Sequence, residues 1–360
     1  MIRLFQVYMS GAAADAVAEV LASGYIGQGP QVDAFEAELA PWMPRGYEVV
    51  TVSSGTAALD LALHLAGVQV GDEVISTPVT CTATNGVIVN RGARIVWADV
   101  DPVSGLISPA DVARKLTSRT RAIMAVDWGG APCNYAALRQ YGLPVIEDAA
   151  HAFGLLGDDP RGDYVCYSFQ AIKHLTTGDG GAICVPPEQA HRARLLRWFG
   201  LDRRSGASFR CAQTITEAGY KYHMNDIAAA IGRANLRDMA DVVMRHMRNA
   251  MHYSDALRGL PGVGLPPVTA SAWWLYTIRV NDSAAWIAAL AEYGVEASPV
   301  HRRNDVHPAF GASPTPLPGV DAFADHEIAI PVGWWLTQAD RDEVVSAVRR
   351  VACHTQPLRN

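Results

Sequence analysis

Between residues 45 and 190 short β-branched runs alternate with stretches of helical spacing, and few architectures accept that alternation. Runs at 48–53, 73–78, 94–98, 121–126, 145–146, 164–169 and 183–185 read as strands, with helices at 57–66 and 80–89 among the segments between them. Strand–helix alternation of this kind builds an α/β fold around a mainly parallel, helix-covered sheet. Upstream, residues 11–24 and 31–40 carry helical patterns separated by a glycine-rich bend at 25–30. Downstream, a helix over 192–201 leads into a polar loop reaching about residue 216. A long helical pattern over 235–258 then links to a second unit, with strands at 274–280 and 295–300 and helices at 284–293 and 337–351. The expected organisation is a large domain over 1–240 and a small α+β domain over 241–360.

Open α/β sheets bind ligands at the carboxyl ends of their strands, and polar groups gather there in this chain. Val145-Ile146 ends on Glu147-Asp148, with His151 three residues further on. The run at 164–169 ends on Ser168, and Lys173 follows before the glycine turn Gly178, Gly180, Gly181. Singly each has an ordinary reading: Asp148 as a cap for a helix starting at Ala149, Ser168 as a turn former, Lys173 as solvated surface charge. Together they are what pyridoxal phosphate demands: an acid for a protonated ring nitrogen, a lysine for a Schiff base, a hydroxyl for a phosphate. A second phosphate element lies at Ser54-Gly55-Thr56, between a strand and a helix, where free N–H groups and the helix dipole face an anion. Ser54 acting only as an N-cap would give the same letters.

Bulk properties narrow the class. The 360 residues are 49% hydrophobic and 18% charged, enough for a sizeable core. A net charge of −6 gives no basis for nucleic acid or an anionic membrane as partner. No stretch approaches the roughly 20 apolar residues of a membrane span, and MIRLFQVYMS lacks a signal-peptide core. Six scattered cysteines without CxxC spacing point to free thiols in a reducing cytoplasm.

Read together, EDAAHAFG (147–154), YSF (167–169), Lys173 and TTGDGG (176–181) resemble the DegT/DnrJ/EryC1/StrS family of sugar aminotransferases. So do GYIGQGPQVDAFEAELA (24–40), SSGTAALDLAL (53–63), GDEVISTPVTCTATN (71–85) and AGYKYHMNDIAAAIG (218–232). The likeness covers the chain to about residue 235 and thins beyond. It implies a fold type I, aspartate-aminotransferase-like enzyme using pyridoxal 5'-phosphate, with Lys173 as the Schiff-base lysine and Asp148 on the ring nitrogen. It puts His151 near the ring hydroxyl and Ser54, Gly55, Thr56 and Ser168 on the phosphate. Cys81 stands where the family usually has an aromatic residue stacked on the ring. Lys221 stands where an Asn often reaches across a homodimer interface to the neighbour's phosphate; His223 stands where the family often has an Arg and is left unassigned.

The resemblance also implies the partners: L-glutamate as donor and a nucleotide-linked keto sugar, of the NDP-4-keto-6-deoxyhexose class, as acceptor. Tyr25 and Ile26 lie in the turn expected over the substrate. His301, Arg302 and Arg303 form the basic cluster expected at its pyrophosphate, against the plain reading of a solvated turn. Some relatives dehydrate sugars with a His in place of the lysine; here Lys173 holds that position and His174 only follows it. Other readings are amination of a free cyclic ketone and a cofactor-binding regulator, the latter disfavoured by the retained lysine.

Overall fold

The computed structural model describes residues 1–155, 157, 161–203 and 212–354. An extended N-terminal arm leads to α1 (Ala13–Ser23) and α2 (Pro30–Leu39). The sheet region follows as β1 (Glu48–Val52), α3 (Gly55–Leu65), β2 (Glu73–Ser76), α4 (Thr82–Asn90), β3 (Arg94–Trp97), α5 (Pro109–Lys115), β4 (Thr120–Val126), α6 (Tyr135–Arg139), β5 (Val145–Asp148), β6 (Tyr164–Ser168) and β7 (Gly181–Val185). Then come α7 (Pro187–Leu196), α8 (Asp226–Leu236), α9 (Met239–Ala256), β8 (Tyr276–Arg279), α10 (Ser283–Glu292), α11 (Pro318–Ala324), β9 (Glu327–Ile330) and α12 (Gln338–His354).

The seven-stranded sheet has the order β1-β7-β6-β5-β4-β2-β3, with β7 antiparallel to both neighbours and the other pairs parallel. Strands β2, β5 and β7 are buried along their whole length, as expected when helices cover both faces. Because β7 runs against both β1 and β6, those two point the same way as β5. Their carboxyl ends therefore share one edge of the sheet. Val52 pairs with Gly181, which pairs in turn with Ser168, so the Ser54-Gly55 turn meets the end of β6. Gly181 permits this closeness: a Cβ there would lie 2.6 Å from the Ser54 carbonyl.

The smaller unit sets α10 and α12 against the antiparallel pair β8–β9. Helix α9 serves both cores: Met239 and Val242 pack with Phe35 and Leu39, while Ala250 and Tyr253 pack with Ile278 and Ile330. Contacts also cross the sequence boundary. Ile2 bridges to Val295, and Val320 and Phe323 of α11 join the core that contains Trp97 and Trp128.

Four expectations change in detail. The helical pattern over 235–258 corresponds to α9, which begins at Met239, and the separate helix α8 before it has no counterpart in the sequence reading. The helix after β7 begins at Pro187, where proline's missing N–H costs nothing. Residues 295–300 form isolated bridges and no strand, since Pro299 has no N–H to donate and Val300 turns to φ 57°. Strand β9 and helices α5, α6 and α11 add to the elements read from sequence; each has seven residues or fewer. Part of the polar loop reaching residue 216 lies outside the described residues.

Candidate active site

Asp148 closes β5 and is buried. No helix begins at Ala149; instead the carboxylate accepts hydrogen bonds from the Ala150 N–H at 3.1 Å and the Thr84 hydroxyl at 2.7 Å. Burial pushes its carboxyl above the usual range, while the Thr84 and Ala150 hydrogen bonds and the Lys173 charge pull the other way. A cation placed against it would hold it ionised.

Lys173 sits in the turn after β6, its N–H donating to the Gln170 carbonyl at 2.9 Å. Its Nζ lies 3.5 Å from the centroid of the Trp274 ring, and the Trp274 indole N–H donates to the Ile172 carbonyl at 3.0 Å. Burial lowers the Lys173 amine to about 8, against opposing contributions from Asp148 and Cys81. Cys81, half-buried, directly precedes α4. In the sequence Trp274 reads only as the start of a strand. Nothing local to it announces a contact with a lysine a hundred residues earlier.

His151 stacks on Trp274 with ring centroids 4.0 Å apart and lies edge-on to Trp128 at 5.9 Å. The Gly129 N–H donates to its Nδ1 at 3.3 Å, which leaves Nε2 to carry the proton of the neutral ring. Burial and the positive charge of Lys173 push this imidazole well below its ordinary value.

The three residues of the 301–303 cluster part company. His301 turns inward, its ring parallel to His151 at 6.0 Å and edge-on to Trp128 at 5.9 Å. Arg302 is exposed. Arg303 is bound by the carboxylates of Asp305 and Asp321, which raise its guanidinium's affinity for its proton and offset its charge.

At the other end of the site Ser54 caps α3, its hydroxyl accepting from the Ala57 N–H at 3.0 Å. Both readings of that serine therefore meet in one turn, because the cap leaves the first N–H groups of the helix pointing outward. A Cβ on Gly55 would lie 2.8 Å from the Ser168 Cβ, so only glycine lets the turn rest there. Thr56 is exposed, and Lys221 lines a cavity of about 580 Å³ with Ser53, Ser54 and Thr56 of its own chain. Tyr25 and Ile26 are exposed. Tyr25 lines a cavity of about 470 Å³ with Gln28, Asp33, Arg194 and Arg203, sharing no wall residue with the Lys173 cluster.

A lysine of lowered basicity, a buried acid on the adjacent strand end and a glycine turn at a helix start form a site for transfer chemistry. The model of the DegT/DnrJ/EryC1/StrS aminotransferase family matches residues 8–349. The chain belongs to that family. It is a sugar aminotransferase of fold type I. Its relatives include a dTDP-4-dehydro-2,3,6-trideoxy-D-glucose 4-aminotransferase of Saccharopolyspora spinosa, 33% identical over all of both chains. The spore coat polysaccharide biosynthesis protein SpsC of Bacillus subtilis is 32% identical over 93% of each chain. Among solved structures, AtS13 from Actinomadura melliaura superposes with a TM-score of 0.91 at 41% identity, covering 97% of this chain and 98% of that one. The sugar aminotransferase CalS13 from Micromonospora echinospora gives 0.90 at 37% identity, covering 97% and 100%.

Proposed function

We propose that this aminotransferase uses pyridoxal 5'-phosphate to pass the amino group of L-glutamate to a keto sugar carried on a nucleoside diphosphate, of the 4-keto-6-deoxyhexose class. The observation that carries the reading is the Lys173 amine, lowered to about 8 and lying near Asp148, a buried acid at a neighbouring strand end. The residues fit the cofactor. A carboxylate buried with only hydroxyl and amide donors suits a protonated ring nitrogen, and the missing Gly55 side chain lets Ser168 lie against the start of α3, bringing its hydroxyl beside N–H groups that suit a phosphate.

When bound, pyridoxal phosphate supplies an aldehyde for the lysine and a ring that accepts the electron pair of a cleaved Cα–H bond. The chain's residues do the rest. Lys173 Nζ, largely neutral above pH 8, can take a proton from carbon and return it to another carbon. Asp148 would hold the ring nitrogen protonated, and His151, with Nδ1 fixed by Gly129, would offer Nε2–H to the ring hydroxyl. The N–H groups of Gly55 and Thr56 and the Ser168 hydroxyl would bind the phosphate. Cys81 would pack against the ring.

We place the enzyme in the cytoplasm as a homodimer; Lys221 shares a cavity with Ser54 and Thr56 of its own chain, and its reach to the partner's cofactor phosphate rests on the family resemblance alone. The relative named as a 4-aminotransferase of a dTDP-linked sugar supports the substrate class. No helix among the described residues is long and apolar enough to cross a membrane. Borohydride reduction of the yellow holoenzyme, followed by peptide mapping, should leave the pyridoxyl group on Lys173. A label on Lys115 or Lys221 would overturn the assignment.

A further inference from the structure

A polar atom buried without a partner is rare in a folded protein, and beside a reactive amine it points to a ligand. His301 Nε2 is such an atom: it is buried and makes no hydrogen bond with any described residue. The ring stands among His151 and Trp128, near enough to Lys173 to feel its charge.

The backbone is fixed to put it there. Val300 adopts φ 57°, a conformation a β-branched residue rarely takes and one that persists only when the surroundings impose it. Asn304 anchors the far side of the loop. Its N–H donates to the Pro78 carbonyl at 2.9 Å and its amide donates to the Thr80 carbonyl at 2.8 Å. Asn85 donates to its side-chain oxygen at 2.9 Å. Thr80 is hydrogen-bonded to Thr84, whose hydroxyl holds Asp148. One buried chain of hydrogen bonds therefore ties the His301 loop to the acid at the end of β5.

We propose that His301 is a catalytic residue of the sugar half-reaction, its Nε2–H donating a hydrogen bond to the oxygen of the substrate ketone. The inference rests on the reading of the enzyme as a keto-sugar aminotransferase, and it moves His301 from the pyrophosphate to the reacting end. Burial and the Lys173 charge lower its imidazole to about 4, so at neutral pH it is uncharged and no grip for a phosphate. A neutral N–H suits the ketone better. It polarises the C=O bond toward attack by an amine without protonating that amine, and no bond to hydrogen breaks at His301. Arg302, exposed, remains the candidate for the pyrophosphate.

The test separates the two half-reactions in the holoenzyme, each followed by cofactor absorbance. With His301→Phe the step with the nucleotide-linked keto sugar should slow by about 10²–10³-fold, the loss typical of one oxyanion donor. The glutamate step and the affinity for the nucleoside diphosphate alone should stay within about twofold, and His301→Gln should recover part of the sugar step. With ¹⁵N-labelled histidine, the keto sugar should shift the His301 Nε2 resonance of the wild type, and the nucleoside diphosphate alone should not. Equal losses in both half-reactions, weaker nucleoside diphosphate binding, or rates near wild type would each overturn the proposal. If the wild type aminates no nucleotide-linked sugar, the substrate reading fails instead. The same comparison then runs on whichever ketone it accepts, and an unmoved His301 signal there sinks the role of His301.

Discussion

The chemistry of Lys173 comes from where its side chain is put. Over the Trp274 ring and out of bulk water, the ammonium loses hydration that Asp148 only partly replaces, so the amine sits at about 8. With the cofactor removed, the rate of Lys173 labelling by an amine-selective reagent should rise with pH to a midpoint near 8; a midpoint near the ordinary 10.5 would refute the burial argument. At this scale the sequence was legible where neighbours in the chain are neighbours in space. Asp148, His151, Ser168 and Lys173 lie within 26 positions of one another, and strand ends sort them onto one edge. It was opaque where a partner comes from far away. Trp274 under Lys173, Thr84 on Asp148 and Asn304 on Thr80 depend on packing that no local spacing encodes. The inward turn of His301 was hidden for the same reason. A basic run looks like a solvated face until the positive φ of Val300 is known.

Among elements, the sheet strands were readable because burial on both faces leaves continuous apolar runs, whereas β9 and α11 are too short to show a period. The MND motif illustrates a role that only the fold reveals. Asn225 caps its own helix α8, its side chain accepting from the Ala228 N–H. Asp226 caps a different helix. Its carboxylate accepts from the N–H groups of Gly29, Gln31 and Val32 at the start of α2, at 2.8, 3.2 and 3.1 Å. The acid lies at the positive end of the α2 dipole and fixes the 25–30 turn against α8. Asp226→Ala strands three donors and should lower stability by on the order of 3 kcal/mol, read from the denaturant midpoint. A change under about 0.5 kcal/mol would show that water replaces the cap.

Across the whole molecule, the two cores meet along α9, and the buried histidines there tie stability to pH. His174 and His246 lie 4.4 Å apart between ring centroids, with His246 bonded to the Trp273 carbonyl. Burial lowers His246 to about 4 and His174 well below its ordinary value. Their unfolded forms take up protons near 6.5, before the folded forms do, so stability should fall as pH drops from 6.5 toward 4. His246→Phe should flatten that fall by on the order of 1–3 kcal/mol, seen in melting temperatures at pH 7 and pH 5; an unchanged slope would contradict it. The same joint between cores carries the catalytic claim, because Lys173 comes from the large sheet and Trp274 and His301 from segments beyond α9. The most direct test of that claim supplies ¹⁵N-labelled L-glutamate and a nucleoside-diphosphate-linked 4-keto-6-deoxyhexose to the holoenzyme and weighs the sugar product. The account predicts an amino sugar bearing ¹⁵N, formed by the wild type and lost in Lys173→Ala. An unlabelled sugar from the wild type, or labelled product from Lys173→Ala at the wild-type rate, would contradict it.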